Sequence, residues 1–228
     1  SGKQQVFDRS RMGNETSFGL GFSGNEMIGK FVAGNDFNYV QAHATSIAAS
    51  GKYNISSCSS EVIASGRVQM KNYQAVDLIN GLERHDGYTH AYFKSFTPAL
   101  QNCIRQYASQ GGRILISGSY TGSDMQSEEE QAFLSDILKL SYEPTGSTAI
   151  TREINPEDST VTERDSIVYT SPNVKGLGLQ FSYYNELNAQ HYAATHPEIL
   201  KPVGNYAFTA MQYDTGTSAA VAYKSTTY

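Results

Sequence analysis

The pentapeptide Gly118-Ser119-Tyr120-Thr121-Gly122 sets a phenol between two glycines, with a hydroxyl beside it, directly after an apolar run. A glycine-flanked turn of this kind after a strand is how hydrolases lift a nucleophile above a sheet, and the central residue there is Ser or Cys. Here the centre is Tyr120. A phenol with an ordinary pKa of about 10 is a poor acyl-transfer nucleophile at neutral pH, so the shape is kept while the usual chemistry is absent. Ser119 is the neighbouring alternative, with a different direction of attack.

The second constellation is Glu83-Arg84-His85-Asp86-Gly87-Tyr88-Thr89-His90, which gathers acids, imidazoles and a cation in one segment. His85 or His90 could serve Ser119 as a general base, although the sequence offers no third group to orient it. A solvated, self-paired loop is the stronger reading. As a metal site it is poor, because His85 and His90 lack the helical spacing that would bring them onto one face. Cys58 and Cys103 form no C-x-x-C pair and no zinc framework, and no cofactor motif is present. Whether the two are bonded depends on a Cα separation the sequence does not give.

These groups need a scaffold, and the stretch from Gln74 to Met125 supplies one. Ala75 to Ile79 is an apolar run stopped by Asn80-Gly81, and Ile114 to Ile116 is another, stopped by Ser117-Gly118. Between them Thr97 reads as an N-cap with Pro98 at the first helical position. Leu100, Cys103, Ile104, Tyr107 and Ala108 follow on one face, and Gly111-Gly112 ends the helix. Strand, helix, strand makes a parallel βαβ unit with a right-handed crossover, so both turns lie at the carboxyl edge of one sheet, where such folds bind ligands. A further helix follows. Ser127 and Glu130 make a capping box, Glu128 and Glu129 suit the first turn, Phe133, Leu134, Ile137 and Leu138 form the stripe, and Lys139 closes it.

Upstream, Gly29 to Ala33 reads as a first strand, Gly34-Asn35-Asp36 as its turn and Tyr39 to Ala49 as a helix. The ligand-binding candidates at the sheet edge are therefore Asn35, Asp36, Asn80, Gly81, Glu83, Arg84 and Gly118. The segment around Cys58 reads as a strand and Cys103 as a small core residue. After Tyr142, strand-like segments near Ala149 to Ile154, Ser166 to Tyr169, Leu179 to Tyr183, Ala207 to Tyr213 and Ala219 to Ala222 indicate a β-rich extension covering roughly the C-terminal third. Residues 1–28 read as an irregular arm.

The expected fold is thus α/β, a three-layer flavodoxin-like parallel sheet with helices on both faces, in one domain of 228 residues with its β-rich extension from about residue 143. A net charge of −5, with no run of Lys or Arg, argues against a nucleic-acid surface. No apolar run is long enough to span a membrane. Sixteen tyrosines and no tryptophan are unusual, and wet tyrosines on strands and helices explain them better than a sugar-stacking platform does.

The run from about Lys30 to Tyr142, with GKFVAGNDFNYVQAHA, YQAVDLINGLER and RILISGSYTGSDM in order, resembles the flavodoxin-like, class I glutamine amidotransferase-like domain of large secreted bacterial proteins that carry the xanthan lyase label. HPEILKPVGNYAFTAMQYDTGTSAAVAYK resembles the same family. The resemblance puts Tyr120 at the nucleophilic cysteine, Gly81 at the oxyanion glycine, and His196-Pro197-Glu198 at the His-x-Glu pair. Since His196 precedes ILKPVG, which reads as a loop, and the family's pair follows a strand, the HPE match is weighed as coincidence. The resemblance further implies a secreted, periplasmic or cell-surface protein, a larger parent chain whose neighbouring domains are partners, and a polysaccharide or cell-surface glycan as ligand. Three functions follow: a non-catalytic accessory or glycan-binding domain; a hydrolase using Ser119 with His85 or His90; and a polysaccharide lyase. In the lyase Tyr88 or His90 would abstract a proton, while Arg84 and Asn80 neutralise a uronate carboxylate.

Overall fold

The computed structural model describes residues 39–81, 84, 94–146, 148–154, 161–167, 169–183 and 196–224. They group into two compact units, the first ending at Ser119, the second running from Tyr120 to Tyr183 and from His196 onward. Helix and strand are mixed, with one small parallel sheet and several antiparallel ones.

The first unit contains helix α1 (Tyr39–Ala49), a short α2 (Ser60–Ala64), a single 3-10 turn at Met70–Asn72, strand β1 (Val76–Gly81), helix α3 (Pro98–Ser109) and strand β2 (Ile114–Gly118). β1 and β2 pair in parallel, Val76 opposite Ile114 and Ile79 opposite Ser117. The strand–helix–strand reading of this stretch therefore holds. Thr97 caps α3 by accepting the Leu100 amide at 3.3 Å, with Pro98 at the first helical position, where a missing N–H costs nothing. The helix buries Leu100, Ile104 and Tyr107 on one face, and Gln101 joins them because its amide donates to the Phe96 carbonyl at 3.0 Å. It ends where Gly111 turns to φ +78° and where Gly112 lies under the Tyr107 ring. A Cβ at Gly112 would come within 2.4 Å of that ring, which is why no other residue fits there.

Cys103 sits half-buried on α3, with its thiol 3.6 Å from the Ile63 carbonyl of α2. The strand expected around Cys58 is not formed. Residues 53–59 are irregular, Cys58 is an exposed free thiol, and Ser59 is the N-cap residue of α2. NISSCSS has no apolar alternation to bury on a sheet, so its serines serve a loop and a helix start instead. The strand expected at Gly29 to Ala33 lies outside the described residues.

The second unit begins with the turn after β2. Helix α4 (Glu128–Phe133) has the full capping box, Ser127 accepting the Glu130 amide at 3.3 Å and Glu130 accepting the Ser127 amide at 3.0 Å. It widens into a π turn over Leu134–Leu138 and stops at Lys139, whose φ is +58°. Strands β3 (Leu140–Glu143) and β8 (Ile199–Pro202) pair antiparallel, and β4 (Thr148–Ile154) pairs with β5 (Val161–Ile167). Strands β6 (Asn173–Gly176), β7 (Leu179–Ser182), β9 (Ala207–Tyr213) and β10 (Ser218–Tyr223) form a four-stranded antiparallel sheet in the order β10-β9-β6-β7. The β6–β7 hairpin turns on Leu177 and Gly178, both at positive φ, the signature of the tight turn that matches strand twist. Val174, Ile199 and Tyr213 are its core. The expected β-rich region is thus present. However, ILKP, read as part of a loop, is strand β8, and β3 and β6 extend the list.

Candidate functional site

In the first unit the candidates sit at the carboxyl ends of β1 and β2. The ladder slips between Ile79 and Gly81, so Gly81 faces Gly118, and the Ser119 amide donates to the Gly81 carbonyl at 2.8 Å. Gly81 takes φ +56°, a left-handed conformation that favours glycine and lets the chain leave the sheet. The structure thereby brings Asn80, Gly81, Gly118 and Ser119 to one strand edge. Asn80 shares a buried face with Leu78 and is only 7% exposed, and among the described residues its side-chain nitrogen has no hydrogen-bond partner. An orphan buried donor costs about 1–3 kcal/mol. Arg84 is described a few residues beyond β1 and is engaged in an interaction of its own. Asn35, Asp36, Glu83, His85 and His90 lie outside the described residues, and so do both base candidates for Ser119.

The opposite face of β1 carries a pair that the sequence reading missed. The His43 Nδ1 of α1 lies 2.7 Å from an Asp77 carboxylate oxygen, and the other Asp77 oxygen is buried without a partner among the described residues. The available signal was an acid inside the apolar run VDLI, a position that demands a partner.

In the second unit the site is the turn around Tyr120. That side chain is buried at 5% exposure, and the His196 ring lies against it with centroids 5.0 Å apart and planes tilted by 38°. No residue from Gly118 to Gly122 has a positive φ. Gly122 is there for space: a Cβ would come within 2.6 Å of the Tyr142 Cβ. The turn is therefore unstrained and its central side chain faces inward.

Glu198 completes the turn. One carboxylate oxygen accepts the Gly122 amide at 2.7 Å and the other accepts the Ser123 amide at 2.9 Å, so both are held by backbone donors. Burial pushes this carboxyl's pKa up, the bonds from Ser123 and Gly122 oppose the shift, and the nearby Asp124 charge adds to it. Tyr142 is likewise raised, first by burial and then by Glu198. The Tyr213 hydroxyl donates to the Glu198 carbonyl at 2.8 Å, and burial, with the charges of Tyr183 and Glu198, drives that phenol far above its ordinary range. His196 and Glu198, weighed in sequence as a coincidental match, thus flank Tyr120 and its turn directly. The missing clue was that ILKP is a strand, which holds Glu198 at its entrance. In a nucleophile–base–acid triad the acid orients the base; here its two oxygens are spent on the amides of the turn.

Among the described residues no cluster of His, Cys, Asp and Glu could hold a metal ion, and no helix is long and apolar enough to cross a membrane. No protein-family model matches the chain, and no curated protein or solved structure matches it.

Proposed function

We propose that this chain is a non-catalytic accessory or glycan-binding domain of a secreted polysaccharide-processing protein, built on a three-layer flavodoxin-like scaffold. One observation carries the non-catalytic part. Tyr120 stands buried at the centre of the turn with His196 on its ring, and the Glu198 carboxylate fills the amides of Gly122 and Ser123. Backbone amides at such a turn are natural anion donors, and an internal carboxylate occupies them in place of a substrate oxyanion. A phenol packed into the interior at the centre of the turn is not presented to a substrate for acyl transfer.

The parallel β1–β2 pair with α3 between them supports the flavodoxin-like scaffold, since a crossover of this kind is the repeating unit of that fold. The polysaccharide setting and secretion rest on the resemblance of GKFVAGNDFNYVQAHA, YQAVDLINGLER and RILISGSYTGSDM to the amidotransferase-like domains of xanthan-lyase-labelled proteins.

The test pairs turnover with retention. The purified chain is assayed for ammonia release from glutamine, for ester hydrolysis with a serine-directed covalent probe, and for unsaturated uronide release from acidic polysaccharide. In parallel it is passed over immobilised glycans. The expected result is retention on glycan with no turnover in any assay. Labelling of Ser119 by the probe would establish the hydrolase instead, and absorbance from an unsaturated uronide would establish the lyase.

A further inference from the structure

The carboxyl edge of the parallel pair drew the sequence reading, and the opposite edge carries an open cleft of its own. At the amino ends of β1 and β2 lies a cleft of about 500 Å3, lined among the described residues by Tyr53, Gln74, Ala75 and Arg113. We infer that this cleft is a binding site for a saccharide bearing a carboxylate, such as a uronic acid unit. The inference rests on the glycan-binding reading above and adds to it a location and a ligand charge.

The cleft is held by backbone from three directions. The Arg113 carbonyl accepts the Val76 amide at 2.9 Å, tying the entry of β2 to the start of β1. The Tyr107 hydroxyl donates to the Tyr73 carbonyl at 3.0 Å, which fixes the chain just before Gln74. Gly112, crowded by the Tyr107 ring, sets where Arg113 leaves α3. The side chains on this frame point to one ligand chemistry. Tyr53 is 57% exposed, an apolar ring face of the kind that stacks on a sugar. Gln74 offers both a donor and an acceptor for hydroxyls. Arg113 offers a planar fork that suits a carboxylate, and among the described residues it has no acidic partner. In a chain of net charge −5, an arginine and an exposed aromatic residue lining one cleft favour an anionic sugar over a neutral one.

The experiment titrates the full chain with sodium trigalacturonate and, separately, with its uncharged methyl ester, by calorimetry and by amide chemical shifts. The acid is expected to bind at least about tenfold more tightly than the ester, the margin of one charge-assisted fork. Arg113→Gln is expected to erase that preference, and Tyr53→Ala to weaken both ligands by about fivefold through the lost ring contact. Both residues are exposed, so circular dichroism should report an unchanged fold. Equal affinity for acid and ester, or a preference that survives Arg113→Gln, would overturn the site. Retention on neutral glycans, undisturbed by either substitution, would overturn this site while leaving the glycan-binding reading standing. No binding to any glycan would remove both.

Discussion

The strand edge at Asn80 and the turn at Tyr120 are opposite in design. At the turn, buried polar groups find partners: Glu198 takes two amides, its carbonyl takes the Tyr213 hydroxyl, and Tyr142 packs on Gly122. At the edge, the Asn80 nitrogen is buried without a partner among the described residues, as is one oxygen of Asp77 on the other face of the strand. A satisfied buried network rigidifies and specifies a fold, whereas an unsatisfied group subtracts from stability. The turn that looks most like a catalytic elbow is thus the better-satisfied of the two regions.

The largest effect that would break this contrast comes from the turn. Glu198→Ala leaves the Gly122 and Ser123 amides without their acceptor and opens a void, and we expect a loss of about 3 kcal/mol in chemical denaturation. The pH dependence sharpens the point. Because the folded chain raises the Glu198 pKa, its contribution is full below the ordinary glutamate range and is lost as pH rises through the raised folded value. The gap between the native chain and Glu198→Ala should therefore be wider in acid than at neutral pH; a gap that narrows in acid would contradict the buried geometry. Next in size, Gly122→Ala drives a methyl into Tyr142 and should cost about 2 kcal/mol. A neutral result would mean that the turn is loose.

The edge predicts the opposite sign. Asn80→Leu replaces an orphan amide by an apolar group of similar size on the face it shares with Leu78, and we expect stability to rise by about 1 kcal/mol. A loss of stability would show that the Asn80 amide has a partner, and the contrast between edge and turn would close.

How much of this was visible in the letters depended on distance along the chain. Helix α1 has the bounds read from Tyr39 to Ala49, α3 has its Thr97 cap, α4 its Ser127 and Glu130 box, and β9 its span from Ala207 to Tyr213. All of these follow from signals within a few residues. β6 and β8 were missed because Lys175, Gly176 and Pro202 weaken any local pattern; β6 is set by its hairpin with β7 together with its remote pairing to β9, Val174 with Tyr213, and β8 by its remote pairing to β3, Leu140 with Pro202. The same limit hid Glu198. Its partners, Gly122 and Ser123, lie far upstream, and no spacing rule links an acid to two amides so remote in sequence. Asn80, Gly81, Gly118 and Ser119 were legible as one edge because parallel pairing follows from the strand–helix–strand order itself. The cleft at Tyr53 and Arg113 was not, since its residues come from three segments without a shared motif.

The smallest effect tests whether the segment from His196 to Glu198 is anchored at one point or two. Tyr213→Phe removes only the hydroxyl that donates to the Glu198 carbonyl and should cost between about 0.5 and 1 kcal/mol. That bond is made to the backbone of Glu198, whereas the amides of Gly122 and Ser123 are held by its side chain. If the two anchors act independently, the loss in the Tyr213→Phe, Glu198→Ala double variant equals the sum of the single losses. If β8 can settle only when both are made, the second substitution costs less than the first, and the double-mutant cycle shows coupling. Coupling would mean that the turn and the segment entering β8 form one cooperative framework, as the proposed structural role of Glu198 requires. Strict additivity would leave Glu198 free to swing away from the turn without unseating the strand, and would return the Tyr120 turn to consideration as a site that opens.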